Sequence, residues 1–334
     1  MIDLLIKMME VDSTSGKEEN IIGVIQKCFV SENAVCEIQD IPNGKKNLFY
    51  KWGEPKIIFC SHIDTVPPFI PPYRDEKRIL GRGACDAKGQ IAVLSETCLQ
   101  LEADGRTNFG LLMLAGEEVG SYGARTANVL IKGCKFVIVG EPTENKLIKA
   151  GKGNVLIEFT IRGKAAHSGY PSKGDNAVER FRVFLNNLKG LDFPEDDILG
   201  DTTYNVGLLT SNNAHNVISD NVTFKVFFRT TFVTHNILED RVKEICDEHV
   251  SYEIQYGDEP IEFHTVEGFD TGIVSYGSDA PELFNLGKRL LYGPGTIFVA
   301  HTQEEHVVIE DLHKAVKDLK NIYYKLENET GKEN

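Results

Sequence analysis

The sequence has no apolar run approaching the roughly 18 residues that cross a bilayer, which argues against a membrane-spanning helix. It has no basic block: 36 Lys and Arg stand against 50 Asp and Glu, and the net charge of −14 repels nucleic acid and anionic membrane alike. No CxxC pair occurs, and the seven cysteines, an odd number scattered along the chain, do not make a disulfide framework. Reduced thiols in a cytoplasm are the expectation. The opening stretch MIDLLIKMMEVDSTSGKEEN is amphipathic and acidic toward its end, unlike the charged-then-apolar order of a signal peptide. There is no internal repeat and no low-complexity segment, and only the tail ENETGKEN reads as disordered.

What is present is an ordinary globular composition, 41% hydrophobic and 26% charged, in a chain of 334 residues. That length exceeds what a single core usually serves, so two domains are expected. The first residues read as a helix, with Ile2, Leu4, Leu5, Met8 and Met9 at helical spacing. A second helix should follow DSTSGKEE, with Ser15 as N-cap and Glu18 three residues later, the spacing of a capping box. The runs KIIFCSH (56–62), GLLMLAG (110–116) and FVIVGEP (136–142) are apolar on both faces, as strands covered by helices are. Segments between them, such as QIAVLSETCLQLEA (90–103), have helical periodicity, which indicates an α/β layer fold.

The pattern changes near residue 152. NVLIEFTIRG and NVTFKVFFRTT alternate apolar and polar residues, helices are expected over 174–189 and 235–249, and the order β-α-β-β-α-β is ferredoxin-like. Afterwards IVSYGSDAPELF, GPGTIFVAH and a helix over 308–327 read as the first domain resuming. The expected division is therefore 1–151 with 258–334 around an inserted 152–257.

Several apolar runs end in groups that bind metals. SHIDTV supplies His62 and Asp64, which share one side of an extended backbone, so Asp64 can reach the imidazole and fix its tautomer. In GRGACDAKG, glycines on both sides of Asp86 bend the chain, leaving it either as a carboxylate bridging two cations or as the N-cap of the next helix. GEEVGSYGA offers Glu117 and Glu118, VGEPT offers Glu141, and VAHTQEEHV offers His301 at the mouth of an apolar run. Each alone reads as easily as a solvated loop or surface residue. Together they are five donors at strand ends, where open α/β sheets bind ligands. Asp86 shared between one His and one Glu on either side would hold two divalent metals about 3.5–4 Å apart. Mixed imidazole and carboxylate ligation suits zinc or cobalt rather than magnesium.

The motifs SHIDTVP, GRGACDAKG, GEEVGSYGA, VGEPT, GKAAHSGYP, NVI with a downstream Arg, and AHTQEEHV occur in one order over about residues 1–325. In that order and spacing the chain resembles the acetylornithine deacetylase/succinyl-diaminopimelate desuccinylase family of two-zinc amidohydrolases, which includes aminoacylases, carboxypeptidase G and peptidase T. The resemblance implies a zinc-dependent exopeptidase-like α/β catalytic domain with an inserted ferredoxin-like lid that also forms a homodimer. It implies His62, Asp86 and Glu141 on one metal, with Asp86, Glu118 and His301 on the other. Glu117 is then the general base and Asp64 the partner of His62. Adjacent residues of an extended segment point apart, so one of the two glutamates can ligate while the other shuttles a proton. His167 in GKAAHSGYP matches a histidine that crosses from the partner subunit to polarise the scissile carbonyl. Asn216 and Arg229 match an Asn-Val-Ile-Pro segment and the Arg thirteen residues on, here with Ser219 in the proline position. A guanidinium there grips a substrate α-carboxylate, or pairs with a local carboxylate. Gly277, Ser278 and Asp279 match a glycine-rich substrate loop. The ligand falls on the His after Ala300, so His306 and Glu305 receive no role; nor do Cys60 and Cys85.

The implied activity is removal of an acetyl or succinyl group from a small N-acylated amino acid, most simply N-acetylornithine, in arginine or lysine synthesis. The alternatives are a di-/tripeptidase or aminopeptidase of the same family and, in another class, a metal-holding scaffold without catalysis.

Overall fold

The computed structural model describes residues 1–332. In chain order its elements begin α1 (Ile2–Met9), α2 (Glu19–Cys28), β1 (Val35–Asp40), β2 (Lys46–Trp52), β3 (Ile57–His62), β4 (Tyr73–Arg74) and β5 (Arg78–Leu80). There follow α3 (Lys88–Ala103), β6 (Phe109–Leu114), α4 (Tyr122–Leu130), β7 (Phe136–Val139), β8 (Leu147–Gly151), β9 (Gly153–Arg162) and α5 (Ala177–Lys189). The last are β10 (Thr203–Thr210), β11 (Asn221–Thr230), α6 (Leu238–Glu244), β12 (Val250–Asp258), β13 (Ile261–Glu262), β14 (Thr271–Val274), β15 (Lys288–Leu291), β16 (His306–Val308) and α7 (Ile309–Lys332).

Two compact units result: Met1–Lys149 with Phe263–Gly272 and Ser278–Asn334, and Ala150–Glu262 with Ile273–Gly277. The divisions differ by a few residues from those expected near 151 and 258, and Ile273–Gly277, expected in the resumed first domain, falls in the second unit. The reason is a short ladder, Ile261 and Glu262 of β13 against Gly151 and Ala150 of β8, which keeps both ends of the insertion in one unit.

The first unit is built on a six-stranded sheet in the order β1-β2-β6-β3-β7-β15. The four strands β6, β3, β7 and β15 run parallel, and β1 and β2 add an antiparallel edge. Every residue of β3, β6 and β7 is buried, which is why these strands read as unbroken apolar runs. Helix α3 packs against α1, α7 and β3, so it is buried on most of its circumference, polar Lys88, Gln90, Ser95 and Thr97 included.

The second unit is a four-stranded antiparallel sheet in the order β10-β11-β9-β12, the ferredoxin-like arrangement of β9-α5-β10-β11-α6-β12. Val222, Phe224, Val226 and Phe228 of β11 and Val155, Ile157, Phe159 and Ile161 of β9 face Phe181, Phe184 and Leu188 of α5 and Leu238 and Val242 of α6. Phe159 and Phe224 stack at 5.2 Å across the ladder, a pair that adds to simple burial.

Local expectations needed correction. Ser15 does not cap α2, which starts at Glu19 without a side-chain cap bond; its hydroxyl donates to Asp64 Oδ2 at 3.0 Å instead. The helix expected over 235–249 is a 3-10 turn at His235–Ile237 followed by α6, and it unwinds through i→i−3 bonds at Ile245 and Cys246. The tail is helical through Lys332: Glu327 is tied to Arg106 at 3.2 Å and Glu329 to His264 at 3.2 Å, so the acidic end has partners. Residues 333 and 334 of the tail lie outside the described residues.

Candidate metal centre

Strand register gathers the site. His62, the last residue of β3, stands opposite Leu114 in β6, and Cys60 stands opposite Val139 in β7. Past these neighbours the chain leaves the sheet at the same end, carrying Glu117 and Glu118 three and four residues beyond Leu114 and Glu141 two residues beyond Val139. The loop before α3 brings Asp86 to the same place, where its carboxylate is held between two imidazoles. Oδ1 lies 3.0 Å from His62 Nε2 and Oδ2 lies 3.2 Å from His301 Nε2. Glu118 Oε1 is 3.3 Å from the same His301 nitrogen. The first residue of the helix is preceded by Ala87, so Asp86 serves the cluster and not the helix N-terminus.

Two sets of donor atoms result, His62–Asp86–Glu141 and Asp86–Glu118–His301, each with its ligand atoms within 4.8 Å of one another. A third set, His62 with Glu117 and Glu118, meets the same limit. The first set is buried throughout; in the second His301 is half exposed. Glu141 is 4% exposed, and among the described residues neither it nor Glu117 has a side-chain hydrogen bond. A buried carboxylate without a donor is costly unless a cation neutralises it. These residues therefore fit divalent metal ions with nitrogen and oxygen ligands.

The electrostatics point the same way. His62 is held well above the usual imidazole value: burial opposes its charge, but the carboxylates of Asp64 and Asp86 outweigh that. His301 is raised to about 10 by its hydrogen bonds to Asp86 and Glu118. Burial would raise Asp86, yet the two imidazoles bring it below the carboxylate range. Glu117 and Glu141 are pushed well up by burial, as is Asp279, to about 7. Positive charge is what this cluster stabilises.

The supporting contacts revise three expectations. The tautomer of His62 is set by the backbone of Asp64: Nδ1–H donates to the Asp64 carbonyl at 2.9 Å, while the carboxylate stands 3.6 Å away. That carboxylate instead accepts the N–H groups of Gly116, Glu117 and Glu118 at 2.9, 3.1 and 3.3 Å, so Asp64 shapes the turn that carries both glutamates. Glu117–Val119 is a 3-10 turn after a left-handed Gly116, not an extended segment. The two side chains diverge because successive residues of such a turn are about 120° apart. His301 ends no strand; it sits in a turn with φ 62°, in the left-handed region.

Of the substrate-loop candidates, Gly277 is exposed, Ser278 Oγ accepts from Ala280 N at 3.3 Å, and Asp279 is buried with Oδ1 unpartnered among the described residues. Sequence reasoning missed Asn47, whose Oδ1 accepts from Ala115 N at 3.1 Å and whose Nδ2 donates to Gly123 O at 3.0 Å, bracketing the glutamate turn. Its signal was a lone amide in the apolar strand KNLFYKW.

In the second unit His167 and Asn216 come together: His167 forms an antiparallel bridge with Val217, and Ser168 N donates to Asn216 O at 3.0 Å. Both are exposed. Arg229 stands at the other end of β11, and the eight steps from Asn221 to Arg229 span about 27 Å. Arg229 is half-buried with its guanidinium 4.5 Å over the Phe227 ring, and among the described residues it pairs with no carboxylate. The local salt bridge considered for it is absent among them.

Residues 58–325 match the peptidase family M20/M25/M40. This chain belongs to that family. A peptidase M20 domain-containing protein of Schizosaccharomyces pombe is 33% identical over 333 residues, covering 96% of this M20 chain and 83% of its own length. A probable carboxypeptidase of Paracoccidioides brasiliensis is 32% identical over 358 residues, covering 92% and 81%. Among solved structures, a tripeptidase of Staphylococcus aureus superposes with a TM-score of 0.80 at 20% identity over 96% of each chain. A metallo-carboxypeptidase of the M20 family from Sulfolobus solfataricus gives 0.71 at 14%, over 96% of this chain and 97% of that one. The shared fold is that of M20 metallohydrolases, enzymes acting on amide bonds; the acetylornithine deacetylase branch is a finer assignment than family membership carries.

Proposed function

We propose that this M20 chain is a metal-dependent exopeptidase that hydrolyses the amide bond of small peptides bearing a free α-carboxylate. The observation that carries it is Asp86, one oxygen on each of two imidazoles, with Glu118 and Glu141 beside them and Glu117 uncommitted. His62, Asp86 and Glu141 would hold one divalent cation and Asp86, Glu118 and His301 a second, zinc or cobalt by donor type. Bound there, such cations supply Lewis acidity to the amide carbonyl and acidify water. Glu117 takes a proton from the attacking water and delivers it to the leaving nitrogen. Asp64 and Asn47 fix the turn on which that carboxylate moves.

Arg229 supports the free-carboxylate requirement, since a half-buried guanidinium that pairs with no carboxylate among the described residues can donate two hydrogen bonds to one. His167 and Asn216 lie beyond the Asn221 end of β11, whose eight steps to Arg229 span about 27 Å, more than a small substrate held by one copy would bridge. A homodimer in which His167 and Asn216 reach the substrate held by the other copy resolves this. The free state of all seven cysteines supports a reducing, cytoplasmic setting. Among the described residues no helix is long and apolar enough to cross a membrane.

The peptidase reading takes precedence because relatives above 30% identity include probable carboxypeptidases. Deacylation of an N-acyl amino acid, N-acetylornithine included, is the second reading, favoured by the same arginine, which serves any substrate with an α-carboxylate. Rates on unblocked di- and tripeptides, N-acetyl and N-succinyl amino acids, and carboxyl-amidated analogues separate them. Turnover of unblocked peptides, lost on amidation, is expected. Turnover confined to N-acyl amino acids moves the assignment to the deacylase, and a fully metallated protein inactive on every substrate sinks both.

A further inference from the structure

Glu305 lies four residues beyond His301, and nothing in the site so far uses it. Its carboxylate is fully enclosed. Oε2 accepts from Arg82 Nη1 at 2.5 Å, and Arg82 is itself 1% exposed. Oε1 accepts the backbone N–H groups of Gly83, Asp86 and Cys85 at 2.9, 3.2 and 3.3 Å. The loop that carries Asp86 is thus wrapped around one side chain from the segment that carries His301. The backbones join there too, through Gly81 N to Glu305 O at 2.9 Å and the ladder of β16 with β5.

Such a template has a purpose in this loop. GRGACDAKG takes left-handed turns at Gly81 and Gly83, positions where the chain is intrinsically loose. A buried carboxylate that loses its donors is heavily penalised, so the conformation satisfying all three amides is strongly preferred. The guanidinium of Arg82 cancels the charge of Glu305, which leaves the neighbouring Asp86 free of its repulsion. We propose that Glu305, backed by Arg82, is a positioning residue that fixes Asp86 and His301 at the spacing a shared divalent cation requires; this rests on the metal-site reading above.

The competing account is a salt bridge that merely staples the fold, and three variants separate the two. Glu305→Asp keeps the charge pair but draws the accepting oxygens back by about 1.5 Å. Arg82→Met with Glu305→Gln removes both charges yet leaves an oxygen for the three amides. Arg82→Met with Glu305→Leu removes charges and acceptor together, which keeps the question open to test should one variant fail to fold. Metal-stripped protein is titrated with cobalt(II), following visible absorption and competition with a chelating dye, and the stripped forms are melted in parallel. The parent should take up two equivalents. Glu305→Asp and the leucine pair should weaken the looser cobalt site about ten- to hundredfold and alter its absorption band. Stripped Glu305→Asp should melt below the parent, because its enclosed carboxylate loses donors, and the glutamine pair should hold cobalt as the parent does. Parent-like cobalt binding in Glu305→Asp or the leucine pair overturns the clamp, as does a glutamine pair that loses cobalt equally. A parent that takes up no cobalt instead removes the metal-site reading itself.

Discussion

The two units differ in how much charge they bury: among the described residues the second encloses one charged side chain, Asp196, held by the N–H groups of Ile198, Leu199 and Val233. In the first, His62, Asp64, Arg82, Asp86, Lys88, Gln90, Glu141, Asp279 and Glu305 are all buried, each 6% exposed or less. In the second, the core between sheet and helices is apolar, and His167, Asn216 and Arg229 lie exposed or half-buried outside it. The difference teaches where function strains the fold. Buried charge must be compensated atom by atom, so the first unit devotes whole side chains to holding others. Lys88 donates to the carbonyls of Met8 and Val11, and Gln90 to those of Cys85 and Pro294. A sheet with its chemistry on the surface can change contacts without repacking.

The largest test of this contrast is Glu117→Gln, expected to lower kcat by about 10²–10⁴-fold while the protein still binds two metal equivalents and melts as before. Full activity in that variant would take the proton shuttle away from Glu117. Next is Phe224→Ala in the second unit, which removes a ring stacked on Phe159 and should cost about 3–5 kcal/mol in urea unfolding, with metal content per folded chain unaltered. A parallel loss of metal would show that the second unit does not merely surround its own core. Arg229→Ala should weaken carboxylate-bearing substrates by about 1.5–3 kcal/mol, read as a rise in KM, and leave amidated analogues unaffected. Equal loss on both removes the carboxylate clamp. The smallest effect belongs to Leu209→Ala on the exposed edge strand β10, expected within about 0.5 kcal/mol of the parent. A larger shift, growing with protein concentration, would reveal that this edge is covered by a second copy.

Much of this was legible in the linear chain, for physical reasons that can be named. Strands buried on both faces are written as continuous apolar runs, and β3, β6 and β7 were found that way. Alternation in β9 and β11 announced a sheet with one covered face, and the element order gave the ferredoxin-like arrangement. His62, Glu117, Glu118, Glu141 and His301 stood out as residue types out of place beyond apolar runs and Asp86 as a carboxylate between glycines, while their division between two metals came from the resemblance. Ser15 misled because a hydroxyl three residues from a glutamate is written identically whether it caps a helix or holds a distant aspartate. The helical tail misled because its partners, Arg106 and His264, are remote in sequence.

By itself the sequence determined the α/β class, the inserted β-α-β-β-α-β order and the chemistry of the donor set, since these depend on periodicity and on side-chain functional groups. Only the tertiary structure decided what each carboxylate answers to: Asp64 to three amides of the glutamate turn, Asp86 to two imidazoles, Glu305 to the loop around Asp86. Those partners lie between 24 and 222 residues apart or meet through backbone groups common to every residue, and no local pattern can encode a hydrogen bond whose donor is an anonymous amide.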